Sequence, residues 1–162
     1  MDSESNQKIS SFKLYGKYSR RDVHAIFSDG TRYAEGGGVW GRSGVIKPKG
    51  YGNAYVLFCL IKPRLDTRSA QFIGVDGHFH WISQPSMFPE SQKFQSLVQA
   101  GKGESPVLLF AKAAAGPLYS YIGRLEYVSH DKATSKPVYV EWKIKPWPMS
   151  KAEMGVFVAR HP

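Results

Sequence analysis

Residues 54–61 read Ala-Tyr-Val-Leu-Phe-Cys-Leu-Ile, and this run decides the fold class. Its eight side chains are all apolar, and turn-forming residues bound it, Gly52 and Asn53 before and Pro63 after. A short apolar run of this kind reads as a central strand, covered on both faces. It is too short to cross a bilayer. Downstream, residues 71–75 and 78–83 flank Asp76-Gly77, the strongest hairpin signal in the chain. Three further strands are expected at 107–112, 119–128 and 138–145, the last two joined by the polar loop SHDKATSK. Upstream, residues 12–15 read as a short strand. Ser19 followed by Asp22, with Val23, Ile26 and Phe27 at helical spacing, predicts a capped helix over 20–27. A second helix is expected over 90–100, with Phe94, Leu97 and Val98 on one face and Gly101 at its C-cap. Residues 147–162 are ambiguous, although Ser150 and Glu153 have capping-box spacing.

Strands dominate and helices do not alternate with them, which argues against a doubly wound parallel sheet. The expected class is α+β, mainly β: a curved antiparallel sheet or half-open β-barrel with two or three short helices at its edge. Residues 1–10 are expected to be a disordered tail and 11–162 a single domain.

The chain has 162 residues and carries 22 Lys and Arg against 13 Asp and Glu, 22 − 13 = +9. Hydrophobic residues make up 42%, enough for a core at this length, and aromatics reach 14%. The single cysteine, Cys59, excludes a disulfide framework and a Cys-rich zinc site. Residues 1–8 are polar and partly acidic, unlike a signal peptide. These features lead to the expectation of a basic protein of the cytoplasm, or of the nucleus in a eukaryote. Its expected partner is polyanionic, with no membrane and no cofactor.

Catalytic signals are sparse. The chain has no Gly-x-Ser-x-Gly elbow, phosphate loop or His-Glu-x-x-His helix. Cys59 lies inside the apolar strand and reads as a small buried hydrophobe. His78 and His80 share a strand face, but no third ligand is evident and no metal is expected. Glu141 and Lys143 also share a face. A Glu-x-Lys strand occurs in Mg²⁺-dependent nucleases, which need an Asp on a neighbouring strand as well. Asp131 and Asp76 fall in a loop and a turn, so an exposed strand face of mixed charge explains the pair equally.

Binding signals are richer. Basic and aromatic residues recur together at Lys13-Leu14-Tyr15, Lys17-Tyr18-Ser19-Arg20-Arg21, Arg32-Tyr33 and Trp40-Gly41-Arg42. Lys and Arg neutralise phosphates, and aromatic faces stack on unpaired bases. Trp81, Ser83 and Gln84 stand at a strand end, where Trp81 fits a core position as well as a pocket wall. Tyr119 and Tyr121 share a face that Gly123 continues with no side chain, a gap for a flat ligand or a packed patch.

The order of motifs is YSRRDVHAIF, a glycine-rich WG turn, AYVLFCLI, FHWISQ, VLLFAK, YSYIGRLEY and KPVYVEWKI. Over about residues 15–145 this order resembles the SRA-like (PUA-like superfamily) DNA-binding domain of type IV modification-dependent restriction enzymes. The resemblance implies an SRA/PUA-like fold and a reader of modified cytosine, 5-methylcytosine or hydroxymethylcytosine, in double-stranded DNA. It further implies a base flipped into an aromatic pocket. The module would then be the non-catalytic specificity domain of a restriction system, with a nuclease or helicase module as a further partner. The base-pocket candidates are Trp40, Trp81, Ser83, Gln84, Tyr119 and Tyr121. The DNA-backbone candidates are Lys17, Tyr18, Arg20, Arg21, His24 and Arg42. The glycine-rich turn GGGVWGRSG is longer than the family leads one to expect, and Trp40 or Arg42 in it is a candidate plug for the space a flipped base vacates. Two alternatives stand beside this reading: a B3-like reader of unmodified sequence in the major groove, and a small Mg²⁺-dependent nuclease using Glu141 and Lys143.

Overall fold

The computed structural model describes residues 2–62, 71–132 and 137–159. Strand β3 (Tyr55–Leu60) is the expected central strand. It runs parallel to β6 (Val107–Lys112), pairing Tyr55 with Val107 and Leu60 with Lys112. Both strands are buried on both faces, as their unbroken apolar sequence requires. Leu57 and Cys59 point into one core, and Val56 and Phe58 into another.

The other strands are β1 (Lys17–Ser19), β2 (Val45–Ile46), β4 (Phe72–Ile73), β5 (His78–Ile82), β7 (Leu118–His130) and β8 (Tyr139–Lys145). They form one sheet in the order β2-β3-β6-β7-β8-β5-β4, with β1 also pairing with β7. Every pairing but β3–β6 is antiparallel. Strand β7 bends the sheet. Its first half pairs with β6 and β1 and its second half with β8. Gly123 stands at the corner with φ +128°, where a Cβ would land on the Lys145 carbonyl oxygen. A register shift between Leu109 and Phe110 sharpens the curve. The half-barrel nearly closes at one end. There the Lys62 N–H donates to the Gln71 carbonyl at 2.8 Å, and the Gln71 side-chain oxygen accepts from the Ile82 N–H at 3.3 Å.

Two hydrophobic clusters follow from this curvature. The inner one fills the half-barrel with Phe79, Trp81, Leu109 and Trp142, and α4 (Gln92–Gln99) plugs it with Phe94, Leu97 and Val98. The outer one lies between β3, β6 and β7 and the helices α1 (Ser3–Ser10), α2 (Arg20–Phe27) and α3 (Gly38–Arg42). The expected caps are present. Ser19 Oγ accepts from the Asp22 N–H while the Asp22 carboxylate accepts from the Ser19 N–H. Ser150 caps α5 (Lys151–Phe157), and α4 has a further cap, Ser91, that the sequence reading did not single out.

Four expectations change. Residues 3–10 form a helix whose Ile9 is 2% exposed in the outer core, because Asp2 caps its first turn. Residues 12–15 are no strand, since Tyr15 takes φ +65° and only then does the chain enter β1. Gly101 does not end the second helix. It lies where a Cβ would stand 2.6 Å from the Trp142 ring, so close packing is what it serves, and the chain continues through a π-helical turn at Ala100–Glu104. The hairpin loop is one residue longer than Asp76-Gly77 suggests: the Gly77 N–H donates to the Gly74 carbonyl, and Gly74 pairs with His78.

Candidate nucleic-acid interface

Among the described residues the outer core under α1, α2 and α3 takes in the first half of β7, and the outer side chains of the rest of β7, of β8 and of β5 are mostly the polar half of each alternating strand. Along β8 these are Tyr139, Glu141, Lys143 and Lys145, while Val140, Trp142 and Ile144 enter the inner core. Arg124 stands directly opposite Lys145, and Glu126 opposite Lys143. His78 and His80 complete the face from β5, opposite Lys143 and Glu141.

At the Gly123 corner this face opens into a cleft of about 710 Å³. Phe12, Tyr121 and Trp147 wall it, and Arg124, Lys143 and Lys145 ring it. Gly123 lines the cleft beside Tyr121, and its missing Cβ lets the Lys145 carbonyl close in on the corner. Burial pushes the Tyr121 phenol upward in pKa, and the adjacent Arg124 guanidinium pulls it partly back. Tyr121 therefore stays neutral at physiological pH and keeps a hydroxyl proton to donate. Lys145 Nζ lies 2.8 Å from Glu126 Oε1, so one of the three cations already has a counter-charge.

The structure separates the residues expected to share a pocket. Tyr121 lines the cleft. Tyr119, two residues earlier on the same face and 7% exposed like Tyr121, lies instead beneath Arg20 and Lys112. Trp81 lies in the inner core, 4% exposed and edge-on to Trp142, on the other side of the sheet from both tyrosines. Ser83 Oγ accepts from the Val138 N–H at 2.8 Å and donates to the Gln84 carbonyl, tying down the end of β5. The Gln84 amide reaches Ser43 at 3.4 Å. Trp40 is a core residue, not a plug. It is 2% exposed, packs on Phe27 and His24, and donates its indole N–H to Asp29 at 3.1 Å. Its burial follows from Gly41, where a Cβ would strike the Ala34 carbonyl, so only glycine lets α3 approach that closely.

The expected phosphate contacts divide in the same way. Arg20 is a structural clamp. Its guanidinium donates to the Trp40 and Ser43 carbonyls at 3.1 and 2.7 Å and to Tyr119 Oη at 3.3 Å, and it lies 4.5 Å over the Phe58 ring. Tyr18 Oη accepts from the Lys13 N–H, and His24 Nε2 is held 2.8 Å from the Thr31 carbonyl. Lys17 Nζ donates to Ser120 Oγ at 2.6 Å. Arg21 is exposed, resting over Tyr33 and 3.7 Å from Glu35, and Arg42 is exposed on α3. Of the three cations around the cleft, the sequence pointed to Lys143 alone. The available signal for the others was the alternation Glu141-Lys143-Lys145 on β8, with Arg124 directly after the corner glycine.

A second cleft, of about 410 Å³, lies further along the same outer face, where Phe72 stacks on His80 at 4.3 Å beside Glu141, Asp131 and Ser129. Glu141 forms a close ion pair with His78. Among the described residues no group of three His, Cys, Asp or Glu side chains is placed to hold a metal ion. Among the described residues no helix is long and apolar enough to cross a membrane.

No family model matches the chain, and no curated protein matches it. Among solved structures it is similar to SUVH6 of Arabidopsis thaliana in complex with SAM, with 12% identity over 85% of this chain and 27% of that chain, at a TM-score of 0.48. It is similar to KRYPTONITE in complex with mCHH DNA, an H3(1-15) peptide and SAH, with 10% identity over 89% of this chain and 37% of that chain, at a TM-score of 0.46. It is also similar to the DNA modification-dependent restriction endonuclease AspBHI, with 14% identity over 83% of this chain and 75% of that chain, at a TM-score of 0.43. The chain thus spans about a quarter of the SUVH6 chain and over a third of the KRYPTONITE chain.

Proposed function

We propose that this chain binds duplex DNA through the outer face of β7 and β8 and reads a modified cytosine extruded into the Gly123 cleft. The observation that carries the reading is the cleft itself: three aromatic walls and three cations around one opening on the outer face of the sheet. The motif order of the sequence supports cytosine as the base.

The energetics are balanced as base flipping requires. Extruding a base costs a few kcal/mol. Stacking on an aromatic side chain returns about 1–3 kcal/mol, and of the cleft's rings the half-buried Trp147 offers such a surface, with the 7% exposed Tyr121 beside it. A cytosine methyl buried against those rings adds about 0.8 kcal/mol, a preference of about fourfold over the unmodified base. Arg124, Lys143 and Lys145 hold the flanking phosphates. In this reading the module supplies specificity, and cleavage belongs to a nuclease on another domain or chain.

The test is a titration of one duplex in unmodified, 5-methylcytosine and 5-hydroxymethylcytosine forms at about 50 and 200 mM salt. A preference for a modified form that persists at the higher salt, and that Trp147→Ala removes, is the expected result. Equal binding of all three forms at both salts overturns the reading of modified cytosine.

A further inference from the structure

Beside the Gly123 cleft lies a second cavity of about 430 Å³. Arg124 and Lys145 line both, so the two share a cationic wall. The far side of the second cavity is the turn that leaves α4, Gly101-Lys102-Gly103. Two of its three residues are glycines that line the cavity, with Asn6 of α1 beside them, while the Lys102 side chain lies over Tyr127. Trp142 bars a side chain at Gly101, and Gly103 takes φ +108° with open space where a Cβ would be. Glu126 also lines the cavity, and its carboxylate is the anion now bound to Lys145.

We propose that this cavity is a phosphate seat for the DNA strand whose base enters the Gly123 cleft, and that Glu126 occupies it in the free protein as an internal counter-ion. The inference rests on the DNA-binding reading above. A carboxylate and a phosphate oxygen present the same charge-assisted acceptor to a lysine ammonium. The open space at Gly103 lets a phosphate approach the backbone there. Duplex binding then displaces Glu126 from Lys145, and that exchange lowers both affinity and salt dependence.

The test compares Glu126→Gln with Glu141→Gln in the full chain, using a labelled duplex over a salt series. Both substitutions neutralise a carboxylate on the same sheet face. Breaking an exposed ion pair costs up to about 1 kcal/mol, so Glu126→Gln is expected to tighten binding by about two- to fivefold. The slope of log K against log salt should steepen by about 0.9, the increment for one more neutralised phosphate. Duplex should also shift the Gly101 and Gly103 amide resonances. If both variants change affinity equally and the two amides do not move, the seat is wrong, and only long-range charge is at work. If Lys143→Ala still weakens binding in that case, the DNA-binding reading survives without the seat. If no duplex binds at all, both fall together.

Discussion

Neutralising Arg124, Lys143 and Lys145 together, each to Gln, tests where the duplex lies. All three side chains are exposed, and surface substitutions of this kind usually change stability by no more than about 0.5 kcal/mol. A change in binding can then be read as a change at the DNA surface. Each phosphate neutralised contributes about 0.9 to the slope of log K against log salt. Three cations would contribute about 2.7 by that rule. Because Glu126 already compensates Lys145, the net charge of the cluster is 3 − 1 = 2, and the lower bound is about 1.8. Between 50 and 200 mM salt, a slope of 1.8 to 2.7 corresponds to a loss of about 12- to 40-fold in affinity. The triple variant should therefore be less salt-sensitive than the unaltered chain by that factor. Fluorescence anisotropy of a labelled duplex over four or five salt concentrations measures it, with thermal melts confirming that the variant is folded. An unchanged slope refutes the assignment. A slope that falls instead with Arg21 and Arg42 replaced by Gln would move the duplex to the helical side of the molecule.

Three further outcomes follow from the packing. Burial alone would raise the Asp29 carboxyl, but donors from Thr31, the Lys49 N–H and the Trp40 indole outweigh it and hold it below its ordinary value. That stabilisation is complete above the unfolded value near 3.8 and is lost as pH falls through the lower folded value. Asp29→Asn should lower the melting temperature at pH 7 and flatten its fall below about pH 4; an unchanged acid limb in the variant would count against this. Burial pushes the Cys59 thiol up to about 12, so a disulfide reagent at pH 8 should label it only after denaturant is added, and rapid native labelling would contradict its placement. Gly123→Ala places a Cβ on the Lys145 carbonyl in a left-handed conformation. A cost of about 1–3 kcal/mol, or roughly 3–10 °C in melting temperature, is expected, and a neutral substitution would show that the corner of β7 is not where the sheet bends.

Much of the fold was legible because it rests on local rules. The run at 54–61 could only be a strand covered on both faces, and β3 has that burial. Ser19 and Ser150 each cap the helix that follows, since an N-cap needs only its own hydroxyl and the next turn's amides. The strand alternation at Tyr119 and Tyr121 correctly placed both on one face. It could not say that Arg20, 99 residues from Tyr119 in sequence, would cover one of them, or that the other would stand beside Gly123 and open onto a cleft. The pairing of basic with aromatic residues misled in the same way: Arg20, Tyr18 and His24 have partners inside the protein, and the same composition would describe a phosphate-binding surface.

Composition and near neighbours were enough for the mainly-β class, the capped helices, the basic charge and the absence of a cysteine framework. Which aromatics are core and which are wall, and which cations face solvent, rested on long-range packing. Those outcomes depend on how far β7 bends at Gly123 and on which strands α1, α2 and α3 cover. A side chain's period names its face, but whether that face meets a helix, a neighbouring strand or water is settled by segments distant in the chain.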